Sequence, residues 1–172
     1  MKSLSITALF VAISLLFNYL RARKSQAPRE FKTIDDLIQW LASGAVKEAA
    51  IRDGVKLDYS PESIKSVDQI LGKLHDQYVA NPSFISVRGL SAAYGAYIGE
   101  VIRKSEPNVH WERDDALGEK IYPLIWNGGH HSYPMGWCQK RIENGDEDNV
   151  WVKYTILKDP KNLQRVKGRM GR

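Results

Sequence analysis

The stretch SVRGLSAAYGAYIGEVIRK, residues 86–104, decides how this chain is read. Leu90, Tyr94, Tyr97, Ile98, Val101 and Ile102 recur at three- and four-residue spacing, which gives an α-helix a broad apolar face. Ala92, Ala96 and Gly99 make a second line of small residues, and Gly95 and Gly99 are one four-residue step apart. Each glycine inside a helix costs roughly 1 kcal/mol against alanine. Close packing against a neighbouring backbone offsets that cost, so this helix is expected at the centre of the fold, covered on most sides. Glu100 interrupts the apolar face. It reads either as a carboxylate at the helix surface, paired with Arg103, Lys104 or a more distant arginine, or as a buried functional carboxylate with a perturbed pKa.

Working outward, the residues before this helix give two more. Thr33 with Asp36 three positions on is a variant capping box, and Ile34, Leu37, Ile38 and Leu41 form the buried stripe that follows. Gly44 weakens that helix, residues 45–52 continue or restart it, and Gly54 is a natural stop. Residues 55–59 alternate and fit a short strand. Ser60-Pro61 is a helix start with a first-turn proline, and Ile64, Val67, Ile70, Leu71, Leu74 and Tyr78 make the helix amphipathic up to Asn81-Pro82.

After Pro107 the pattern changes. Residues 109–112 and 119–126 are rich in β-branched and aromatic residues and read as an antiparallel pair. Trp111 and Trp126 are core candidates that would cover the central helix. Residues 127–132 read as a loop, and 134–143 as a short helix closed by Asn144-Gly145. Residues 146–148 form an acidic cap. Residues 150–157 fit helix and strand alike, with helix preferred. The fold class is α+β, helices packed on a small antiparallel sheet.

Residues 3–20 carry no charge. As a helix they would span roughly 27 Å, near the hydrocarbon thickness of a bilayer. Arg21 follows directly, with no small-residue cleavage site, so an uncleaved N-terminal transmembrane helix is expected, with a signal peptide or a buried helix as competing readings. Arg21, Arg23, Lys24, Arg29 and Lys32 outweigh Lys2 and place the domain on the cytoplasmic side of a single-pass inner-membrane protein, against a periplasmic alternative. The organisation is an anchor over 1–20, a linker over 21–32, an α+β domain over 33–157 and a basic tail over 158–172.

The net charge of +5 belongs to that tail, which holds six basic residues and one acid, so the rest of the chain sums to zero. Lys161, Arg165, Lys167 and Arg169 are candidates for contact with anionic lipid. From Lys158 onward no aromatic is available to stack on bases, which leaves nucleic acid without support as a partner. The length suits one domain, and 43% hydrophobic residues with five tryptophans can furnish a core. A single cysteine, Cys138, excludes an intramolecular disulfide and a multi-cysteine zinc site.

His130 and His131 are adjacent, so in an extended segment they point to opposite sides, and the four-residue spacing of helical metal pairs is absent. With His110 they read as surface or hydrogen-bonding histidines, and no metal or other cofactor is expected. Cys138 beside these histidines raises a thiol nucleophile, but Trp137 next to it argues for a structural cysteine. Asp114, Asp115 and the acids of 143–148 give no defined carboxylate separation.

The residues AAYGAYIGEVIR at 92–103, then Trp111, Tyr122-Pro123 and KRIENGDED at 140–148, resemble bacterial domains of unknown function with a "GAY-GEV" helix, a tryptophan-bearing strand and a "KR-NG-D" helix end. The resemblance covers roughly residues 57–157. It implies a small α+β domain of bacterial source, makes Glu100 and Arg141 a candidate pair, and assigns no catalytic residue. The resulting expectation is a membrane-anchored, non-enzymatic protein-interaction module, immunity-like or envelope-associated. Its candidate binding residues are Glu100, His110, His130, His131 and Arg141. The alternative is a hydrolase-like enzyme that uses Glu100 with the loop from His130 to Cys138.

Overall fold

The computed structural model describes residues 30–83, 85–113, 122–126 and 129–158. The anchor segment, the tail with Lys161, Arg165, Lys167 and Arg169, and the acids Asp114 and Asp115 lie outside these residues. Among the described residues no helix is long and apolar enough to cross a membrane. Contacts divide the chain between Lys32 and Thr33, and the architecture below is that of the second unit.

That unit is α+β. Its elements are α1 (Ile34–Asp53), α2 (Ser63–Ala80), α3 (Val87–Ser105), β1 (His110–Trp111), β2 (Leu124–Trp126), β3 (His130–Ser132), α4 (Pro134–Asn144), a 3-10 turn (Asp146–Asp148) and α5 (Val150–Lys158). Helix α3 is the centre: α1 and α4 both pack on it, and α2 packs on α4 and α5. The residues of α3 from Tyr94 to Ile102 are all buried.

Local chemistry accounts for the helix ends. The Thr33 hydroxyl accepts from the Asp36 N–H, and the Asp36 carboxylate accepts from the Thr33 N–H, both at 3.1 Å, which closes a capping box with aspartate in place of glutamate. Helix α1 runs unbroken through Gly44 and ends at Gly54, whose φ of 66° is left-handed. Its buried face is Ile38, Ala42, Ala45 and Ala49, mostly small, so α3 can lie close.

Glycines do the same on α3. A methyl group at Gly95 would collide with the backbone of Met135, and one at Gly99 with the Trp111 ring. The spacing read from the sequence as packing residues thus marks two contacts, with the first turn of α4 and with β1.

The sheet has the order β1-β2-β3, antiparallel throughout. The β1–β2 pair is the expected one. Strand β3 corrects the expectation of a loop over 127–132. Gly129, at φ 78°, donates to the Trp126 carbonyl and turns the chain, and residues 130–132 then pair with β2. Leu124 lies between Trp111 and Ser132 on the core face, and the Trp126 indole N–H donates to the Ser132 hydroxyl at 2.9 Å.

Two further expectations are corrected. Residues 55–59 form no strand. Their apolar side chains pack inward, but among the described residues no ladder partner lies beside them, and the Tyr59 N–H donates instead to the Tyr97 hydroxyl at 2.8 Å. Tyr59 has a φ of 62°, a conformation uncommon for a bulky residue. Ring packing on Tyr97 at 4.7 Å and the Lys104 ammonium 3.7 Å above its own ring hold it there. Helix α2 starts at Ser63 rather than at Ser60-Pro61. The Asp58 carboxylate takes the Ser60 N–H and hydroxyl at 2.9 and 2.6 Å and folds those residues into a preceding turn.

The Tyr94 hydroxyl is buried with no hydrogen-bond partner among the described residues, and burial pushes its pKa above the usual tyrosine range. Tyr94→Phe removes that desolvated group and is expected to raise stability by about 1 kcal/mol, read as a higher midpoint in urea with an unchanged slope. Gly95→Ala forces α4 away from α3 and is expected to destabilise by at least about 3 kcal/mol in the same assay.

Candidate functional site

A groove of about 580 Å³ lies where α1, α3 and α4 diverge. Leu37 and Leu41 form one wall, from α1. Arg88, Ser91 and Ala92, from the first two turns of α3, form the second. Met135, Gly136 and Gln139 of α4 form the third, with Tyr122 and Tyr133 at the sheet end. The groove exists because Gly95 brings the start of α4 against α3 while α1 stacks on α3 through its alanines. Its volume lies in the range of ligand sites, which run about 300–1,000 Å³. Its lining is mostly apolar, and among the described residues Arg88 is the one charged residue in it.

Comparison with known protein families, with curated proteins and with solved structures gives no match. The functional reading therefore rests on the geometry.

None of the candidate binding residues Glu100, His110, His130, His131 and Arg141 is among the residues that line the groove. Glu100 is buried, with 4% exposure, rather than at the surface. Arg103 donates to it twice, Nε to Oε1 at 2.8 Å and Nη2 to Oε2 at 2.7 Å, and the Trp111 indole N–H adds a third bond at 3.0 Å. Burial pushes the Glu100 pKa up, but the bonds from Arg103 and Trp111 outweigh it and hold the carboxyl below the usual range. Both oxygens are occupied, so the group is a structural carboxylate at the edge of the core.

The Glu100–Arg141 pair implied by the resemblance does not form. Arg141 binds Asp68 through Nε at 3.1 Å and Asp146 through Nη2 at 2.7 Å. Asp68 also accepts from the Val150 N–H at 2.9 Å and the Asn149 amide at 2.8 Å. The Arg141 guanidinium lies against Gly72, where a methyl group would stand 2.9 Å from Nη2. This network fastens α2 to α4 and α5.

The histidines fall on the sheet. His110 and His131 both pair in register with Ile125 and so share one face, two strands apart. Two strand spacings separate their backbones by roughly 10 Å. His110 Nε2 lies 3.0 Å from the Glu112 carboxylate, and His131 Nδ1 lies 3.4 Å from the Tyr133 hydroxyl. His130 pairs with Trp126 on the opposite face. No group of three or more metal-ligating side chains occurs among the described residues. Cys138 belongs to α4 rather than to a loop, is fully buried, and burial pushes its thiol far above the reactive range.

The signal that sequence reading missed is Arg88. It stands in the first turn of α3, which holds no acidic residue, where the helix dipole opposes a cation.

The acid limb of stability tests the Glu100 assignment. A carboxyl whose folded pKa is held below its unfolded value contributes stability that is complete above about pH 4.5 and lost as pH falls through the folded value. Glu100→Gln is expected to cost about 2 kcal/mol at pH 7 and to flatten the decline below about pH 4.5 in urea unfolding at stepped pH. An acid limb as steep as that of the unaltered chain would contradict it.

Proposed function

We propose that this chain is a membrane-anchored, non-enzymatic protein-interaction module whose domain faces the cytoplasm, serving immunity-like protection or assembly of an envelope complex. One observation carries the reading: the groove is lined mainly by apolar side chains, while Glu100, Arg141 and Cys138 are committed to internal bonds or to burial. Glu100 holds Arg103 and Trp111. Arg141 holds Asp68 and Asp146. The Cys138 thiol is fully buried. A nucleophile, a base and an orienting group within hydrogen-bond reach of one another, which catalysis by a thiol or carboxylate requires, are not assembled among the described residues. Apolar pockets that admit an anchoring side chain are the usual centres of protein interfaces. The anchor and orientation rest on the uncharged run 3–20 and the basic flank after it, and the tail residues Lys161, Arg165, Lys167 and Arg169 would meet anionic headgroups on the same side.

Two measurements test this. A reporter active only inside the cytoplasm, fused to the C-terminus, is expected to give signal, and its counterpart active only outside is expected to be silent; the reverse pattern would place the domain in the periplasm. A photo-crosslinking residue at Leu41, in the groove, is expected to trap a discrete protein adduct in cells, whereas the same residue at exposed Val152 is not. Glu100→Gln and His131→Ala chains that fold but lose biological activity would overturn the non-enzymatic reading in favour of the hydrolase-like one.

A further inference from the structure

We infer that the groove takes a partner polypeptide through a short segment bearing an aromatic or leucine side chain beside an aspartate or glutamate, the apolar group filling the groove and the carboxylate pairing with Arg88. The inference rests on the interaction-module reading and names the partner's chemistry.

Arg88 is the exception among the described arginines. Arg52 binds Glu48 and Gln77, Arg103 binds Glu100, Arg141 binds Asp68 and Asp146, and Arg113 also has a partner. Arg88 is exposed at the groove and forms no ion pair with any described residue. It also occupies the second position of α3, after the Ser86 cap, where a cation destabilises the helix by a few tenths of a kcal/mol or more. An arginine held against the dipole, without a partner, next to an apolar wall, is placed to receive an anion. Its planar fork matches a carboxylate through two parallel bonds.

Three other polar side chains of the groove have partners, the Tyr133 hydroxyl lying 3.4 Å from His131 Nδ1. The Ser91 hydroxyl donates to the Val87 carbonyl at 2.7 Å, and the Gln139 amide donates to Glu143 at 3.0 Å. Among the described residues of the groove Arg88 is the charged group left to direct a ligand, with the Tyr122 hydroxyl beside it, and most of the remaining surface rewards apolar contact. The groove is about half open to solvent, less enclosed than the 70–90% usual for small ligands, and a chain laid along it can fill it. Trp40, 47% exposed, stands one turn along α1 from Leu37. Tryptophan and arginine are the residues most enriched at the energetic centres of interfaces.

The experiment uses the full chain in detergent micelles and a displayed library of random dodecapeptides as probe. Enriched peptides are expected to place Asp or Glu within two positions of Trp, Phe or Leu. A labelled synthetic copy of the best peptide should bind the Arg88→Glu chain at least about tenfold more weakly by fluorescence polarisation, and the Arg88→Lys chain only a few-fold more weakly. Selection on Arg88→Glu should return Lys or Arg in place of the acid. Arg88 is exposed, so both variants are expected to fold, which a matching unfolding midpoint checks. Enrichment without acidic residues, or binding indifferent to Arg88→Glu, would overturn the inference and leave the interaction-module reading standing. No enrichment, with decanoate instead stabilising the chain in an Arg88-dependent manner, would make the occupant a small carboxylate and overturn it. Peptides that match this chain's own sequence would make the occupant a second copy, with the same result. Failure of both this selection and the Leu41 crosslink would remove the interaction-module reading as well.

Discussion

The structure depends on how closely α4 and β1 approach α3. A glycine at 95 lets the backbone of Met135 lie on the helix, and a glycine at 99 seats the Trp111 ring. The two contacts are one turn apart, so they fix a helix and a strand against the same rod. The rest follows from that placement. Trp111, seated on Gly99, brings its indole N–H to Glu100. The first turn of α4, seated on Gly95, becomes the wall that closes the groove opposite Leu37 and Leu41. Glycine is poor for helix propensity, and here the loss is offset by dispersion contacts that any side chain would abolish.

Polar groups in the interior obey the rule that burial demands partners. Glu100 and Asp68 sit in low-polarity surroundings, and each accepts three or more hydrogen bonds when backbone donors are included. Such pairs add less net stability than their Coulomb attraction implies, because desolvation opposes them, but removing one partner is expensive. They therefore specify arrangement more than they add stability. The Tyr94 hydroxyl breaks the rule and marks a point where the core is not optimised. Arg88 is its surface counterpart, a charge whose setting is incomplete within the described residues. The contrast between saturated interior charges and one unsatisfied guanidinium gives the groove its polarity.

Much of the fold was legible because its signals are local. The helix over 86–104, the Thr33–Asp36 box, the stop at Gly54 and the β1–β2 pair each rest on residues within a few positions of one another. Strand β3 was not, because three residues containing two histidines carry no alternating apolar pattern; only the turn at Gly129 and the partner strand define it. Residues 55–59 failed in the opposite way, alternating like a strand while a tyrosine hydroxyl from α3 took the backbone donor. For the candidate site, Glu100 was noticed because it breaks an apolar stripe, but its partners could not be assigned. Arg141 was equally available as a cation, and only the packing of α2 against α4 gives it to Asp68. The groove left no trace, since Leu37, Arg88, Tyr122 and Met135 belong to four separate segments.

The partners of Asp68 have a consequence for how the chain matures on the ribosome. They lie 73, 81 and 82 residues downstream. Until Arg141 has been synthesised and released, helix α2 carries a carboxylate that has no counter-charge and resists entry into a compact interior. The N-terminal helices therefore cannot settle prematurely on their own. A chain interrupted before residue 141 retains an uncompensated charge, and one interrupted before residue 149 still lacks two of the donors to it.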